Sequence, residues 1–346
     1  MKIARPVSGA RSVRRVAGWA FLALVTSAVC RAETPVDGGR GTAPRSGQIA
    51  KPDHGPLHPV RSEEFVPLNG LKQYLLIRGD DVERNPVLLF VHGGPGFPGG
   101  IFARKNAELE RDFTVVHWDQ RGAGHSYRSD LAQAVMRVDQ FVDDTVALSR
   151  WLANRFGQRK IFVVGHSWGT MVAALAAARA PECFYAFVSV SQLANYRESQ
   201  RVVAAQPAPP PVPPRVADPR LFWWTLSSPE YSPGTLPRVL AGYRFTVKML
   251  ETEITATNLF FRIKALDVPI WFFAGAYDNV VGEPVIRAFY DRLRAPRGKH
   301  YVRFERSRHW PHLQEPEKFA SQMRLVRQAT WEGAEVPRRK APTRGD

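Results

Sequence analysis

The sequence predicts an α/β fold: a mostly parallel central sheet flanked by helices and interrupted by a short inserted lid. Three observations predict it. Short apolar runs alternate with stretches of helical periodicity, as expected for strands joined by crossover helices that cover both faces of a sheet. One apolar run, residues 161–165, passes through Gly165-His166-Ser167-Trp168-Gly169 into a run of small residues, which reads as strand, tight turn and helix. Two later strand-like runs are followed by a carboxylate, Asp278, and an imidazole, His309.

Taken in order, residues 86–91 and 113–118 are strand-like, 138–156 has helical spacing, and 161–165 is a third strand. Residues 169–180 form a small-residue helix that Pro181 stops. Residues 186–190, 269–275 and 301–304 are strand-like again, with a helical stretch over 283–293. The core is thus expected over 63–190 and 268–334. Residues 191–267 break the rhythm and form the lid. That segment opens with a helix, then runs through the prolines at 207–214, which lack donors and fix φ, and so cannot be helix or central strand. It reads as a rigid spacer, with a polyproline-domain ligand as the alternative.

The ends are different. Residues 1–15 are basic, 16–29 are uncharged and apolar, and Cys30-Arg31-Ala32 offers small residues for cleavage, so 1–32 reads as a signal peptide. The apolar run is short for a membrane span, which needs about 20 residues; an uncleaved anchor is the alternative. A secreted or periplasmic location follows, with no stable membrane span after cleavage. Residues 33–62 read as a flexible lead-in and 335–346 as a solvated tail. Of the 2 cysteines, only Cys183 then remains, which leaves no internal disulfide.

The chain has 346 residues, 44% of them hydrophobic, enough for a sizeable core and incompatible with global disorder. Its net charge of +16 invites a nucleic-acid reading. Removing residues 1–32 takes away six of the basic side chains, and the rest are scattered without a nucleic-acid-binding signature. No nucleic-acid partner is expected.

Ser167 on a strand-to-helix turn would project from the carboxyl end of the sheet, with the helix amino terminus facing any developing oxyanion. A serine hydroxyl needs a base and an orienting acid. Asp278 supplies a carboxylate just past a strand, although it could instead cap the next helix. His309 and His312 share one loop; His309 follows the strand by the shorter path and is favoured. A glycine-rich turn, His92-Gly93-Gly94-Pro95-Gly96, can aim a main-chain N–H at a substrate carbonyl oxygen, with the N–H of Trp168 as its partner. It lacks the lysine and hydroxyl of a phosphate loop. No cofactor is implied, and Pro311 breaks the helical face that a metal site of the H-E-x-x-H type needs.

With HGGPG at 92–96, WDQRGAGHS at 118–126, GHSWG at 165–169, GAYD at 275–278 and SRHWPHLQEPEKF at 307–319, the chain resembles the α/β-hydrolase superfamily, and within it the prolyl aminopeptidase (proline iminopeptidase) group. The resemblance spans roughly residues 65–328. It implies an α/β-hydrolase fold and a serine hydrolase with Ser167 as nucleophile, His309 as general base and acid, Asp278 as orienter, and Gly94 with Trp168 as oxyanion donors. Asp119 and Arg121 would brace the loops. The Arg-Ile-Glu lid motif of one branch is not visible. Glu198 sits where related sequences place a lid glutamate and is a candidate amine anchor, as are Glu251 and Glu253; a solvated helix face is the competing reading for each. Trp223, Trp224, Tyr243 and Phe245 could line a substrate pocket or belong to the lid core, with Trp224 taken as the candidate binding residue.

The expected activity is an acyl-enzyme hydrolase that releases amino-terminal residues, often proline, from short peptides. The alternatives are a carboxylesterase or small-amide hydrolase, and a catalytically idle binding module.

Overall fold

Asn69 and Gly70 both take positive φ, 45° and 82°, the turn geometry that matches the right-handed twist of a two-residue hairpin. They join strand β1 (Val60–Leu68) to β2 (Leu71–Gly79) in antiparallel register from Leu68↔Leu71 to Val60↔Gly79. This computed structural model describes residues 56–206 and 229–331. The hairpin corrects the lead-in assigned to 33–62, because β1 already begins at Val60. β1 is an edge strand whose outer positions face water, so its sequence carries acids, Arg61 and Pro67 and reads as a loop.

The remaining strands are β3 (Val87–Val91), β4 (Thr114–Trp118), β5 (Ile161–His166), β6 (Phe184–Val190), β7 (Ile270–Gly275) and β8 (Lys299–Phe304). The sheet has eight strands in the order β1-β2-β4-β3-β5-β6-β7-β8. β2 meets β4 antiparallel, and every pair from β4 to β8 is parallel. Each expected strand is found, with ends shifted by at most two residues.

Alternation along the buried strands divides the core into two layers. Leu89, Val91, Val116, Trp118, Ile161 and Val163 pack on one face with helices α1 (Val138–Arg155) and α2 (Trp168–Arg179). Leu88, Phe90, Val115, Phe162 and Val164 pack on the other with Phe319, Met323 and Val326.

Between β6 and β7 lie α3 (Tyr196–Ala205), α4 (Leu236–Ala256) and the single turn α5 (Leu259–Arg262). Then come α6 (Glu283–Arg292), the turn α7 (Pro311–Gln314) and α8 (Pro316–Thr330), which supplies Phe319, Met323 and Val326. The proline run, Trp223 and Trp224 lie outside the described residues, as do the stretches read as signal peptide and tail and most of the lead-in. Among the described residues, no helix is long and apolar enough to cross a membrane.

Candidate active site

β5 ends at His166 and α2 begins at Trp168, so one residue must turn the chain. That residue, Ser167, has φ 53° and ψ −120°, a left-handed conformation that costs an ordinary residue about 1 kcal/mol or more. The turn is held on both sides: Ser167 N–H donates to Val190 O at 3.0 Å, and Ser167 O accepts from Thr170 N–H and Oγ1. α2 can approach the sheet because its second residue is glycine; a Cβ at Gly169 would lie 2.0 Å from Val91 O.

Ser167 Oγ lies 2.8 Å from His309 Nε2, and His309 Nδ1 lies 3.0 and 3.1 Å from the two oxygens of Asp278. A carboxylate only accepts, so Nδ1 carries the proton and Nε2 offers its lone pair to the serine hydroxyl. Burial by itself pushes the Asp278 carboxyl up. The attraction and hydrogen bond of His309 and the N–H groups of Val280 and Val281 outweigh it and hold Asp278 below its ordinary range. Asp278 is therefore an anion at neutral pH, able to orient the imidazole and steady its protonated form.

The two downstream loops are fixed against each other. A Cβ at Gly275 would sit 1.8 Å from Arg308 O, so only glycine lets the acid loop meet the histidine loop there. The His309 carbonyl accepts from His166 Nε2 at 2.9 Å and Ser191 Oγ at 3.2 Å. Glu315 Oε2 accepts from Ser307 Oγ and Arg306 N–H, and Gln314 Oε1 from Arg308 N–H. Sequence reading passed over His166, Ser191, Gln314 and Glu315. Their only signal is proximity to motif residues. His312, the alternative base, is buried away from Ser167's hydrogen bonds, and burial pushes its imidazole down to about 3.

Gly94 has φ 118°, open to glycine and strained for other residues. The neighbouring Gly93 packs on Ser167, with an added Cβ 3.2 Å from Ser167 Cβ. Trp168 is the first residue of α2, so its N–H has no partner within the helix. The 119–122 loop holds these pieces together. Gln120 N–H donates to His92 Nε2, Gln120 Nε2 donates to His92 O at 2.8 Å, and Gln120 Oε1 accepts from the Trp168 indole N–H at 3.0 Å. Gln120 thus ties the glycine turn to the start of α2. Gln120→Leu is expected to lower kcat by about 10- to 100-fold with little change in KM, because the glycine turn and the start of α2, the two expected sources of oxyanion donors, lose their brace. Steady-state kinetics check this, and an unchanged kcat would show that the bridge is dispensable.

Asp119 and Arg121 brace the loop. Asp119 accepts from Tyr231 Oη at 2.6 Å and from His125 N–H at 2.8 Å. Complete burial pushes its carboxyl up to about 7, against the pull of those two hydrogen bonds and of Arg238. A folded pKa above the unfolded one means that the folded state binds the proton more tightly. Stability from this group is therefore full below about pH 4 and is lost as pH rises towards 7. The loss is expected to approach about 1 kcal/mol per pH unit across that window. Asp119→Asn should flatten the slope, as read by urea unfolding at several pH values; an unchanged slope would locate it elsewhere.

The segment between β6 and β7 bears on the same loops. Thr246 of α4 donates to Gly122 O at 2.9 Å, and a Cβ at Gly96 would lie 2.7 Å from Thr246 Cβ. Tyr243 packs edge-on against Phe97, and Phe245 lies against Tyr127. Glu230 pairs with Arg61 and Arg78 of the hairpin. Glu198 is part-exposed on α3, where Arg201 engages its carboxylate. Glu253 accepts the Val138 N–H at 2.9 Å at the start of α1, and Glu251 is exposed. Trp224 lies outside the described residues. No group of three or more His, Cys, Asp or Glu side chains among the described residues could hold a metal ion.

Comparison with known proteins gives the same outline. A model of the serine aminopeptidase (S33) family matches residues 83–317. A Bacillus subtilis (strain 168) protein named "Probable aminopeptidase YbaC" is 31% identical over 295 residues, covering 73% of this chain and 92% of that protein. A proline iminopeptidase of Clostridioides difficile (strain 630) is 30% identical over 112 residues, 32% of this chain and 36% of that protein. Among solved structures, a proline iminopeptidase-related protein from Thermus thermophilus superposes with a TM-score of 0.56 at 21% identity, covering 78% of this chain and 98% of its own.

Proposed function

The chain belongs to the serine aminopeptidase (S33) family of α/β-hydrolases, and from that premise we propose that it cleaves amino-terminal residues, proline among them, from short peptides through an acyl-enzyme on Ser167. The observation that carries the proposal is the continuous line Ser167 Oγ, His309 Nε2, His309 Nδ1, Asp278, with heavy-atom spacings of 2.8 to 3.1 Å.

In this mechanism the Ser167 oxygen attacks the scissile carbonyl carbon while its proton passes to His309 Nε2. The carbonyl oxygen becomes an oxyanion, held by the N–H groups of Gly94 and Trp168. Collapse breaks the C–N bond, and the His309 proton goes to the leaving amine. Water then gives its proton to His309 and attacks the acyl carbon, and Ser167 leaves as the reprotonated hydroxyl. Asp278 stays an anion throughout and keeps the imidazole in the reactive tautomer.

Hydrolysis of prolyl and alanyl nitroanilides with free and with acetylated amino groups tests the peptidase reading. The free-amine substrates are expected to be cleaved at least about tenfold faster, because a site that recognises the free amine loses its partner when the amine is blocked. Equal rates would overturn it. A second reading, a carboxylesterase or small-amide hydrolase using the same Ser167, is favoured by one observation: the Glu198 and Glu253 carboxylates are already engaged by Arg201 and the Val138 N–H.

A further inference from the structure

Ser167 follows β5 and His309 follows β8, and β6 and β7 lie between those strands in the sheet. With neighbouring strands about 4.8 Å apart, β8 ends about 14 Å from β5. The chain after β8 must therefore run back across the strand ends to bring an imidazole to Ser167. It is pinned at each strand it crosses. Beside the end of β7, Tyr277 N–H donates to Ser307 O at 3.0 Å, and Gly275 leaves room for Arg308 O. Just past β6, Ser191 Oγ donates to His309 O at 3.2 Å. At the end of β5, His166 Nε2 lies 2.9 Å from the same carbonyl oxygen.

The last two contacts act on His309 itself. A carbonyl only accepts, so His166 carries its proton on Nε2. Burial, with His312 and His309 as neighbours, holds the His166 imidazole well below its ordinary range. It stays neutral and sets no like charge against the imidazolium that forms on His309. The His166 ring also packs on the His309 ring, with centroids 5.0 Å apart, and on Trp310 at 4.5 Å. Gly93 makes room for it, since an added Cβ there would lie 2.9 Å from His166 Nδ1. Ser191 is fully buried and held at φ 55°, a conformation uncommon outside glycine that persists where the surroundings demand it. His166 is bonded in the chain to Ser167, so the residue that grips the base is joined directly to the nucleophile.

We propose that His166 is a positioning residue for the general base: by holding the His309 carbonyl, with Ser191 as second donor, it sets the distance from the His309 imidazole to Ser167. The inference rests on the reading of Ser167 as nucleophile and His309 as base.

The test compares His166→Leu with His166→Gln, by the rate of fluorophosphonate labelling and by hydrolysis of nitrophenyl acetate, each per folded molecule. His166→Leu should slow labelling and kcat by about 10- to 100-fold with KM within about twofold of wild type, because the base leaves its line to Ser167. Glutamine can present an amide N–H to the same carbonyl, so His166→Gln should stay within about threefold of wild type. A role in folding alone would lower urea stability and leave the rate per folded molecule unchanged. His166→Leu at the wild-type rate, or His166→Gln as slow as His166→Leu, overturns the inference. If His166→Leu does not fold, Ser191→Ala takes its place with an expected slowing of about three- to tenfold, and a wild-type rate there overturns it equally. Wild-type protein that does not label at Ser167 overturns the nucleophile reading and the inference with it, whereas a labelled wild type with unaffected variants overturns the inference alone.

Discussion

Ser167→Ala is expected to lower kcat by about six orders of magnitude while substrate affinity changes little, because the triad acts as a unit and removal of its nucleophile leaves only the oxyanion donors and binding. The substituted protein should remain folded, since Ser167 contributes one side-chain hydrogen bond, to His309. The backbone adds a second test. Ser167 is held at φ 53°, and alanine inherits that strain where glycine does not. Ser167→Gly should therefore be as inactive as Ser167→Ala but more stable by about 1 kcal/mol. A stability order of alanine above glycine would mean that the turn is not strained. Rates by stopped assay and stabilities by urea unfolding give both answers.

Asp144→Ala is expected to destabilise the fold by about 3–5 kcal/mol. Asp144 is fully buried on α1 and accepts from Arg121 Nε at 2.7 Å and Nη2 at 2.9 Å, from Gln73 Nε2 at 2.7 Å and from Asn69 Nδ2 at 2.8 Å. Arg121 is itself 1% exposed. Loss of the carboxylate leaves a guanidinium in the interior with the Val135 carbonyl as its remaining acceptor. The pair also fastens the hairpin, α1 and the 119–122 loop at one point, so activity should fall with stability. Replacing both members by leucine should cost less than Asp144→Ala, because no uncompensated charge remains. A loss below about 1 kcal/mol for Asp144→Ala would show that water reaches Arg121.

The parallel strands were legible because both of their faces are buried, so residues 86–91, 113–118 and 161–165 read as unbroken apolar runs. β1 was not, since half of it faces solvent; the Asn69-Gly70 turn is the signal that could have revealed it. Within the site, Ser167, Asp278 and His309 stand at strand ends in recognisable local patterns, and the structure brings them within hydrogen-bond reach of one another. Several contacts that hold them there bridge distant parts of the sequence, 48 positions for Gln120 with Trp168 and 143 for His166 with His309. Such pairings depend on how the strands are ordered in the sheet, and a local reading of the chain does not contain that order. Glu198 illustrates the converse. Its position suggested an amine anchor, but the nearby Arg201, one helical turn away, engages its carboxylate.

Reaction of the purified protein with a fluorophosphonate, followed by mass spectrometry of the digested adduct, tests whether Ser167 is an activated nucleophile. One phosphonylated serine, Ser167, is expected, with a labelling rate that falls sharply in His309→Ala and an adduct that disappears in Ser167→Ala. A folded protein that stays unlabelled, or an adduct on another residue, would contradict it.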